Sequence, residues 1–304
     1  MDHDRLNTPS TSAIAIEAFG HRLHISQDPN SKHLGMTVWD ASMVLVKYLE
    51  KNSRKGRFSP AKIKGKRVIE LGAGCGLAGL GMALLGCDVI LTDQLEVLPL
   101  LARNVDRNKS WISQGSSDSG SFGSVSVAEL DWGNKKQIEA VGPPFDYIIG
   151  TDVVYAEHLL EPLIETILAL SGPRTIILIG HEIRSTTVHE QMIEMLKNNF
   201  IVRSIPKSKM DIKYQHPSIQ LYMMELKAQP KSNSEPSETI KLKELSHASD
   251  EEKEACDCGE MHNGEPSTQV ELKDLVPQNG KLDDWEIRRC GVMAARLLRD
   301  VKLT

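Results

Sequence analysis

The sequence predicts an α/β fold in which a mainly parallel sheet is covered by helices on both faces. Short apolar segments rich in Val and Ile alternate with segments of helical periodicity over residues 68–199. This alternation is typical of parallel strands that are joined by crossover helices. The last two predicted strands, residues 200–205 and 219–226, are separated only by a charged loop. A pair of strands without a crossover helix predicts an antiparallel edge.

Length and composition limit the classes of protein that the chain can belong to. The 304 residues are enough for one large domain with extensions, and 40% hydrophobic and 25% charged residues are typical of a globular protein. A net charge of -5 argues against a broad basic surface for nucleic acid, and no apolar run approaches the ~20 residues of a membrane helix. The five cysteines are irregularly spaced, so we expect a reducing compartment, the cytoplasm or alternatively the nucleus.

The N-terminal region contains a predicted hairpin and a predicted helix. Apolar residues alternate on both sides of Gly20-His21 over residues 14–25, which indicates two antiparallel strands. Residues 38–49 carry apolar side chains at helical spacing, which predicts a helix. Residues 1–12 are polar and carry mixed charge, and we expect a disordered lead without a secretory signal.

The middle of the chain alternates between the two periodicities. The strands are predicted from runs of β-branched and apolar residues, and the helices from apolar faces that repeat about every 3.6 residues. A stretch rich in Ser and Gly over 111–124 predicts a flexible insertion. The predicted elements are a strand from 68, a glycine turn and helix, a strand to 93, a helix over 95–107, strands over 125–130 and 145–151, a helix over 158–170, a strand over 175–179 and a helix over 188–199.

The composition changes after residue 228. Residues 229–282 are acidic and poor in large apolar side chains, which predicts a disordered linker. Apolar residues then share one helical stripe over residues 283–304, and we expect a C-terminal amphipathic helix that docks on its own domain or on a partner. The domain that carries the chemistry is therefore expected over residues 13–228.

The glycine turn matches two classes of nucleotide site. Gly74, Gly76 and Gly79 match the dinucleotide fingerprint G-x-G-x-x-G, and Asp93 ends the next strand where a ribose-binding acid is expected. Glu70 precedes this turn in the strand. Its carboxylate would repel a pyrophosphate but would favour the ammonium and sulfonium groups of S-adenosylmethionine. The pattern therefore favours the methyl donor, with Gly72 and Gly74 allowing close approach of the backbone. The alternative is a turn that only packs a helix on a strand.

Acidic residues also follow the later strands. Because ligands bind beyond the carboxyl ends of parallel strands, we expect Asp131 and Asp152 to lie at the same edge as Glu70 and Asp93. Four acids at one edge suit a cationic ligand or substrate. Asp152 is predicted to orient a lysine ammonium, whose reference pKa is ~10.4, and Tyr155 is predicted to form a wall of the channel. The alternative is that Asp152 caps the next helix and Tyr155 packs.

The other candidate residues also have a structural interpretation, which has equal weight for the two tryptophans. Trp132 is predicted to bound an adenine pocket with Asp131, and Trp39 to cover the methionine end of the donor, but both tryptophans also suit a core. His181-Glu182 lies at a strand end and is interpreted as a solvated loop in preference to part of an acceptor mouth. The Cys256-Asp-Cys258 sequence lacks the paired spacing of a zinc site, so no metal is predicted.

Taken together, the motifs resemble a known family. Four short motifs lie at the ends of successive predicted strands: E-L-G-A-G-C-G-L-A-G, L-T-D, L-D-W and D-V-V-Y. A fifth motif, V-W-D, precedes them. The chain resembles the seven-β-strand protein-lysine methyltransferases with a DxxY motif, methyltransferase family sixteen, over roughly residues 13–228. The resemblance implies a Rossmann-like seven-stranded sheet with a reversed last strand, S-adenosylmethionine as methyl donor, and methylation of a lysine ε-amine on a folded protein, such as a chaperone or a translation factor.

The resemblance also implies roles for individual residues. The residues implied to contact or lie near the donor are Trp39, Glu70, Gly72, Gly74, Asp93 and Trp132. Asp152 and Tyr155 are implied to line the reaction site. Two alternatives stay open: a methyltransferase that acts on a small amine or another protein side chain, and a non-catalytic interaction protein with the same fold. The intact acids Glu70, Asp93 and Asp152 argue against the second alternative.

Overall fold

A computed structural model describes residues 12–28, 31–114 and 123–227 of the chain. The N-terminal lead up to residue 11, most of the predicted Ser/Gly-rich insertion, the acidic linker over 229–282 and the C-terminal helix over 283–304 lie outside the described residues. Within the described part, no helix is long and apolar enough to cross a membrane.

The described residues form nine strands and seven helices, with short 3-10 turns between them. The strands are β1 Ser12–Ala18, β2 His21–Gln27, β3 Arg67–Leu71, β4 Asp88–Asp93, β5 Val125–Glu129, β6 Phe145–Thr151, β7 Ser171–Glu182, β8 Phe200–Ser204 and β9 Ile219–Leu226. The helices are α1 Asp40–Asn52, α2 Pro60–Ile63, α3 Leu77–Leu84, α4 Leu98–Gln114, α5 Lys135–Ala140, α6 Leu160–Leu170 and α7 Thr186–Asn199.

Seven of the strands form one sheet in the order β5-β4-β3-β6-β7-β9-β8. Neighbours from β5 to β7 pair in parallel, whereas β9 is antiparallel to both β7 and β8. The predicted α/β class and the reversed last strand are therefore confirmed. The predicted hairpin is confirmed too, because β1 and β2 pair as a separate antiparallel ribbon.

The order of the strands decides where a ligand can bind. The chain passes from β3 outward through β4 to β5 and then returns to the other side of β3 with β6. This reversal leaves a crevice between the connections that follow β3 and β6, at the carboxyl ends of both strands. Fully buried side chains of the central strands, such as Ile69, Ile148 and Leu178, form a rigid base beneath this edge.

Helix α3 packs unusually close to the sheet because it contains Gly79. A Cβ atom at this position would overlap the Leu91 side chain of β4 and would lie 2.6 Å from the Glu70 carboxylate of β3. Only glycine permits this approach without a shift of the helix. The close packing fixes the N-terminus of α3 directly behind the glycine turn.

Two buried asparagines of α4 attach the N-terminal hairpin to the domain. Asn104 accepts a hydrogen bond from the Ser26 amide at 2.8 Å and donates one to the Ser26 carbonyl at 2.9 Å. Asn108 makes the same pair of bonds with the backbone of His24, both at 3.0 Å. Each side-chain amide thereby pairs with the backbone of β2 through one donor and one acceptor, as a neighbouring strand would. Asn104 also donates to the Cys75 carbonyl in the glycine turn at 3.0 Å, so α4 connects the hairpin with that turn.

Several boundaries differ from the sequence-based expectation. Helix α4 continues to Gln114, into the region predicted as an insertion, and β7 extends to Glu182 because its end pairs with β9. The short helices α2 and α5 are not predicted by the sequence pattern. Four and six residues are too few to show a helical period.

Candidate active site

A cavity of about 470 Å³ opens at the carboxyl ends of the strands. Its size is within the range of pockets that bind a cofactor-sized ligand. Eight of the nine site residues predicted from the sequence line it: Trp39, Gly72, Gly74, Asp93, Asp131, Trp132, Asp152 and Tyr155. The fold thus brings together, in one concave site, residues that are spread between positions 39 and 155 of the sequence.

The segment before α1 covers the glycine turn. Gly74 has a φ of 55°, and a Cβ atom there would lie 2.8 Å from the carbonyl oxygen of Gly35. The indole Nε1 of Trp39 donates a hydrogen bond to the Leu34 carbonyl at 3.0 Å, which stabilises the fold of this segment. Trp39 therefore helps to position the covering segment in addition to lining the cavity.

Asp93 presents an oriented carboxylate at the end of β4. Its Oδ2 accepts the Gly74 amide at 2.7 Å and its Oδ1 accepts the Gln94 amide at 2.8 Å. Burial raises the pKa of Asp93, and these two hydrogen bonds oppose that effect. A carboxylate oxygen can accept more than one hydrogen bond. Asp93 can therefore accept further hydrogen bonds from a ligand, and Asp131 and Trp132 line the same cavity.

Glu70 is not at the mouth of the cavity, and the predicted direct contact with the donor is corrected. Its side chain is 0% exposed, and its Oε2 accepts the Gly79 amide in the first turn of α3 at 2.7 Å. Burial raises the pKa of Glu70 to about 8. The hydrogen bond draws the carboxyl group beneath the turn and away from the ligand. It occupies an amide at the helix N-terminus where a pyrophosphate would otherwise bind, so Glu70 still disfavours a dinucleotide.

Asp152 has a strained backbone and a constrained side chain. It is one of two non-glycine residues with positive φ among the described residues, at 55°. Its amide donates to the Gly180 carbonyl at 2.8 Å, and its Oδ1 accepts the Glu182 amide at 2.9 Å. A conformation of this kind costs about 1 kcal/mol or more and persists only where neighbouring groups enforce it. The two bonds to β7 hold the backbone and the carboxylate of Asp152 in place, and Asp152 is one of the residues that line the cavity.

Tyr155 lies at the rim of the same cavity. Its side chain is 50% exposed, and desolvation together with the negative charge of Asp93 raises the pKa of its hydroxyl. The phenol is therefore neutral at physiological pH. It can act as a wall and as a hydrogen-bond donor, but not as a base.

His181 and Glu182 are not in a solvated loop, contrary to the expectation from the sequence. They are the last two residues of β7 and pair with Gln220 and Ile219 of β9. His181 is 3% exposed, does not line the cavity, and stacks on His189 at 5.5 Å between ring centroids. The pairing with β9, which is distant in the sequence, buries this strand end.

Arg184 is a charged residue of the cavity wall that the motif analysis did not select. It lines the cavity, and its Nη2 lies 3.3 Å from Oδ2 of Asp152 and 2.5 Å from Oε2 of Glu182. Its guanidinium also lies over the ring of Trp39, 4.7 Å from the centroid. The sequence contains no signal for the contact with Asp152, because Asp152 is thirty-two residues away.

The buried His181 gives a testable pH dependence of stability. Burial, together with the positive charges near it, lowers the pKa of His181 from 6.5 to about 4. The unfolded chain therefore binds a proton at a higher pH than the folded chain does, and stability falls as the pH drops below 6.5. Between pH 7.5 and pH 5 we expect His181 to cost the wild type about 2 kcal/mol of unfolding free energy.

The measurement is urea unfolding of wild type and of His181→Phe at both pH values. Phe keeps an aromatic ring in the stack but does not titrate, and neither ring nitrogen of His181 has a hydrogen-bond partner within the described residues. The variant should therefore lose about 2 kcal/mol less than wild type over this pH interval. Equal losses in the two proteins would contradict the assignment of a buried, neutral His181.

The fold and the site define the class of protein. A parallel sheet with a reversed last strand, a glycine turn beneath the cavity and an acid at the end of β4 are the features of a methyltransferase that uses S-adenosylmethionine. A family model described as lysine methyltransferase matches residues 18–199 of the chain. The chain belongs to this lysine methyltransferase family.

Similar proteins with curated names agree with this family. Protein N-lysine methyltransferase METTL21A of Danio rerio is 37% identical over 194 residues, which are 64% of this chain and 81% of that protein. METTL21A of Mus musculus is 33% identical over 186 residues, or 61% and 77% of the two chains. EEF1A lysine methyltransferase 3 of Xenopus tropicalis is 34% identical over 167 residues, or 54% and 66%. The chain is an S-adenosylmethionine-dependent protein-lysine N-methyltransferase.

Proposed function

We propose that this methyltransferase binds S-adenosylmethionine along the glycine turn and methylates a lysine of a folded protein that enters past Asp152 and Tyr155. The observation that carries the proposal is the single cavity that Asp93 and Asp152 both line. One end provides acceptors for a ribose, and the other provides a carboxylate for a cation. A donor and a lysine can therefore meet within one site.

The donor fits the residues on the cavity wall. Asp93 would hold the ribose, Trp132 and Asp131 would bound the adenine, and the backbone from Gly72 to Gly74 would lie along the methionine part. S-adenosylmethionine, when bound, supplies a methyl group on a positively charged sulfur. The buried Glu70 stabilises the start of α3 behind this site.

Asp152 has the central role in the acceptor half. Its carboxylate attracts and orients the lysine ammonium, and Tyr155 with Leu34 provides an apolar rim that is about half exposed. The ammonium loses a proton to water. Bound S-adenosylmethionine would supply its methyl group to the lone pair of the neutral amine and would leave as the neutral thioether. Alignment of the amine nitrogen with the methyl group and its sulfur would account for much of the rate enhancement in such a displacement.

We propose a protein substrate of the translation-factor or chaperone kind, in the cytoplasm. A translation factor is supported by the relative whose name specifies EEF1A. An open site with an exposed rim suits a macromolecular surface better than a small amine, for which a closed pocket is typical. The irregular set of five cysteines supports a reducing compartment. Imaging of a fluorescent fusion would show whether the protein is instead nuclear.

Labelling of a cell extract tests the proposed reaction. Purified enzyme with S-adenosylmethionine carrying a tritiated methyl group should label one or a few protein bands, and hydrolysis of these bands should release methyl-lysine. Heat-inactivated enzyme is the control. Label that passes into the small-molecule fraction would support the small-amine alternative. Donor binding in calorimetry without any label would support a non-catalytic protein.

A further inference from the structure

Arg184 connects three parts of the acceptor site that come from different elements. Asp152 follows β6, Glu182 ends β7, and Trp39 is the N-cap residue of α1. The guanidinium contacts both carboxylates and stacks on the indole. A planar guanidinium can make all of these contacts at once, whereas a lysine ammonium cannot. Arg184 is therefore placed to influence the acceptor site, and its contact with the donor half is the stacking on Trp39.

The three contacts of Arg184 differ in strength. The Nη2 atom lies 2.5 Å from Glu182 but 3.3 Å from Asp152, so the bond to Asp152 is the longer and weaker one. The Asp152 side chain is only 2% exposed, and its other oxygen already accepts the Glu182 amide. A substrate ammonium must therefore share Oδ2 of Asp152 with Arg184 or displace it. Glu182 and Trp39 would hold the guanidinium nearby after the exchange.

The charges of this cluster predict what it binds. Asp152 and Glu182 contribute two negative charges, and Arg184 contributes one positive charge. The remaining single negative charge attracts one cation, such as a lysine ammonium. The reaction, however, needs the neutral amine, and a positive charge near an ammonium lowers its pKa. Asp152 promotes binding of the charged form, and Arg184 promotes loss of its proton.

We propose that Arg184 is a positioning residue that occupies Asp152 before the substrate arrives and then remains beside the substrate lysine as the positive charge that favours its neutral form. This inference rests on the proposed function, because it assigns Asp152 to the lysine. The inference adds a residue outside the DxxY motif that lowers the pKa of the substrate lysine and so favours its neutral amine. The proton goes to water, so no further base is required.

The pH dependence also involves the other charged groups around this cluster. The titratable groups that line the cavity beside the cluster are Lys32 and His33 from the segment before α1, Cys75 of the glycine turn, Asp93 at the end of β4, Asp131 after β5 and Tyr155 after β6. His181 of β7 lies within electrostatic range of Arg184 but is buried away from the cavity. All of these groups are present in every variant compared below, so their effects cancel in the comparison.

The test compares the pH dependence of labelling by wild type, Arg184→Gln, Arg184→Lys and the control Arg203→Gln. The probe is the chief protein band that wild type labels in cell extract. Arg203 is a matched control because it makes a similar carboxylate contact, 3.5 Å to Glu225, on an exposed part of β8. Binding of S-adenosylmethionine, measured by calorimetry, should stay within about twofold of wild type in all variants and shows that each is folded.

The labelling rate increases with pH, and in Arg184→Gln the midpoint of this increase should lie about one pH unit higher than in wild type. The rate of this variant at high pH should be little reduced. Its KM for the extract protein should not rise, because the acceptor site becomes more negative. Arg184→Lys should retain the position of the rise, and Arg203→Gln should match wild type. A rate for Arg184→Gln that is lower by the same factor at every pH, with a higher KM, would overturn the inference and indicate a structural role. Absence of any label with wild type would instead overturn the proposed function.

Discussion

Asp152→Asn should lower kcat for lysine methylation by at least about 100-fold and leave Kd for S-adenosylmethionine within about threefold of wild type. The substitution removes the charge that attracts and orients the ammonium. Asparagine tolerates positive φ better than other residues do, so the backbone at 55° is preserved. Its amide oxygen can still accept the Glu182 amide that Asp152 accepts at 2.9 Å.

The matched control for this variant is Asp146→Asn. Asp146 lies in the same strand β6, but it pairs with Lys66 at 2.9 Å near the opposite end of the strand, away from the cavity. Steady-state labelling and calorimetry of both variants separate turnover from donor binding. Full activity of Asp152→Asn would show that the acceptor site is wrongly assigned. A large loss of donor affinity would show instead that Asp152 belongs to the donor half.

Asp93→Asn should weaken S-adenosylmethionine binding by roughly 100-fold, because two charge-assisted hydrogen bonds to the ribose are lost or weakened. The change also places an NH₂ group against the amide of Gly74 or Gln94, both of which Asp93 now accepts. Calorimetry should show the weaker binding as a higher Kd of the variant for S-adenosylmethionine. At a saturating donor concentration the turnover of the variant should recover to within about tenfold of wild type.

Asp88→Asn is the control for the second variant. Asp88 begins the same strand β4, and its carboxylate accepts the hydroxyl and the amide of Ser124 at the surface. It should bind the donor as wild type does. Unchanged donor affinity in Asp93→Asn would show that the ribose does not bind at the end of β4. It would also contradict the proposed orientation of the donor.

The glycine turn and the strand ends were predictable because they depend on local chemistry. Gly74 needs a positive φ, and an acid that ends a strand, as Asp93 does, or directly follows one, as Asp152 does, lies at the carboxyl edge of a parallel sheet. Sequence order and the period of apolar residues are sufficient for such predictions. The same information identified the hairpin and the reversed last strand.

The direction of a side chain was not predictable in the same way. Glu70 was placed correctly in β3, but its carboxylate turns to the Gly79 amide beneath the turn. His181 and Glu182 end a strand that is longer than its apolar run, because pairing with β9 buries polar residues there. For each of these three residues a partner from another element decides the position, and the local sequence pattern carries no information about that partner.

The sequence by itself determined the class of fold, the methyl donor and the edge of the sheet where the chemistry takes place, since these follow from periodicity and from the residues in a tight turn. Only the tertiary structure decided which acids face the cavity and which are buried. It also decided that Arg184 joins Asp152, Glu182 and Trp39. Asp152 and Trp39 are far from Arg184 in the chain, and only the packing of β6, β7 and α1 brings them within hydrogen-bonding and stacking distance of it.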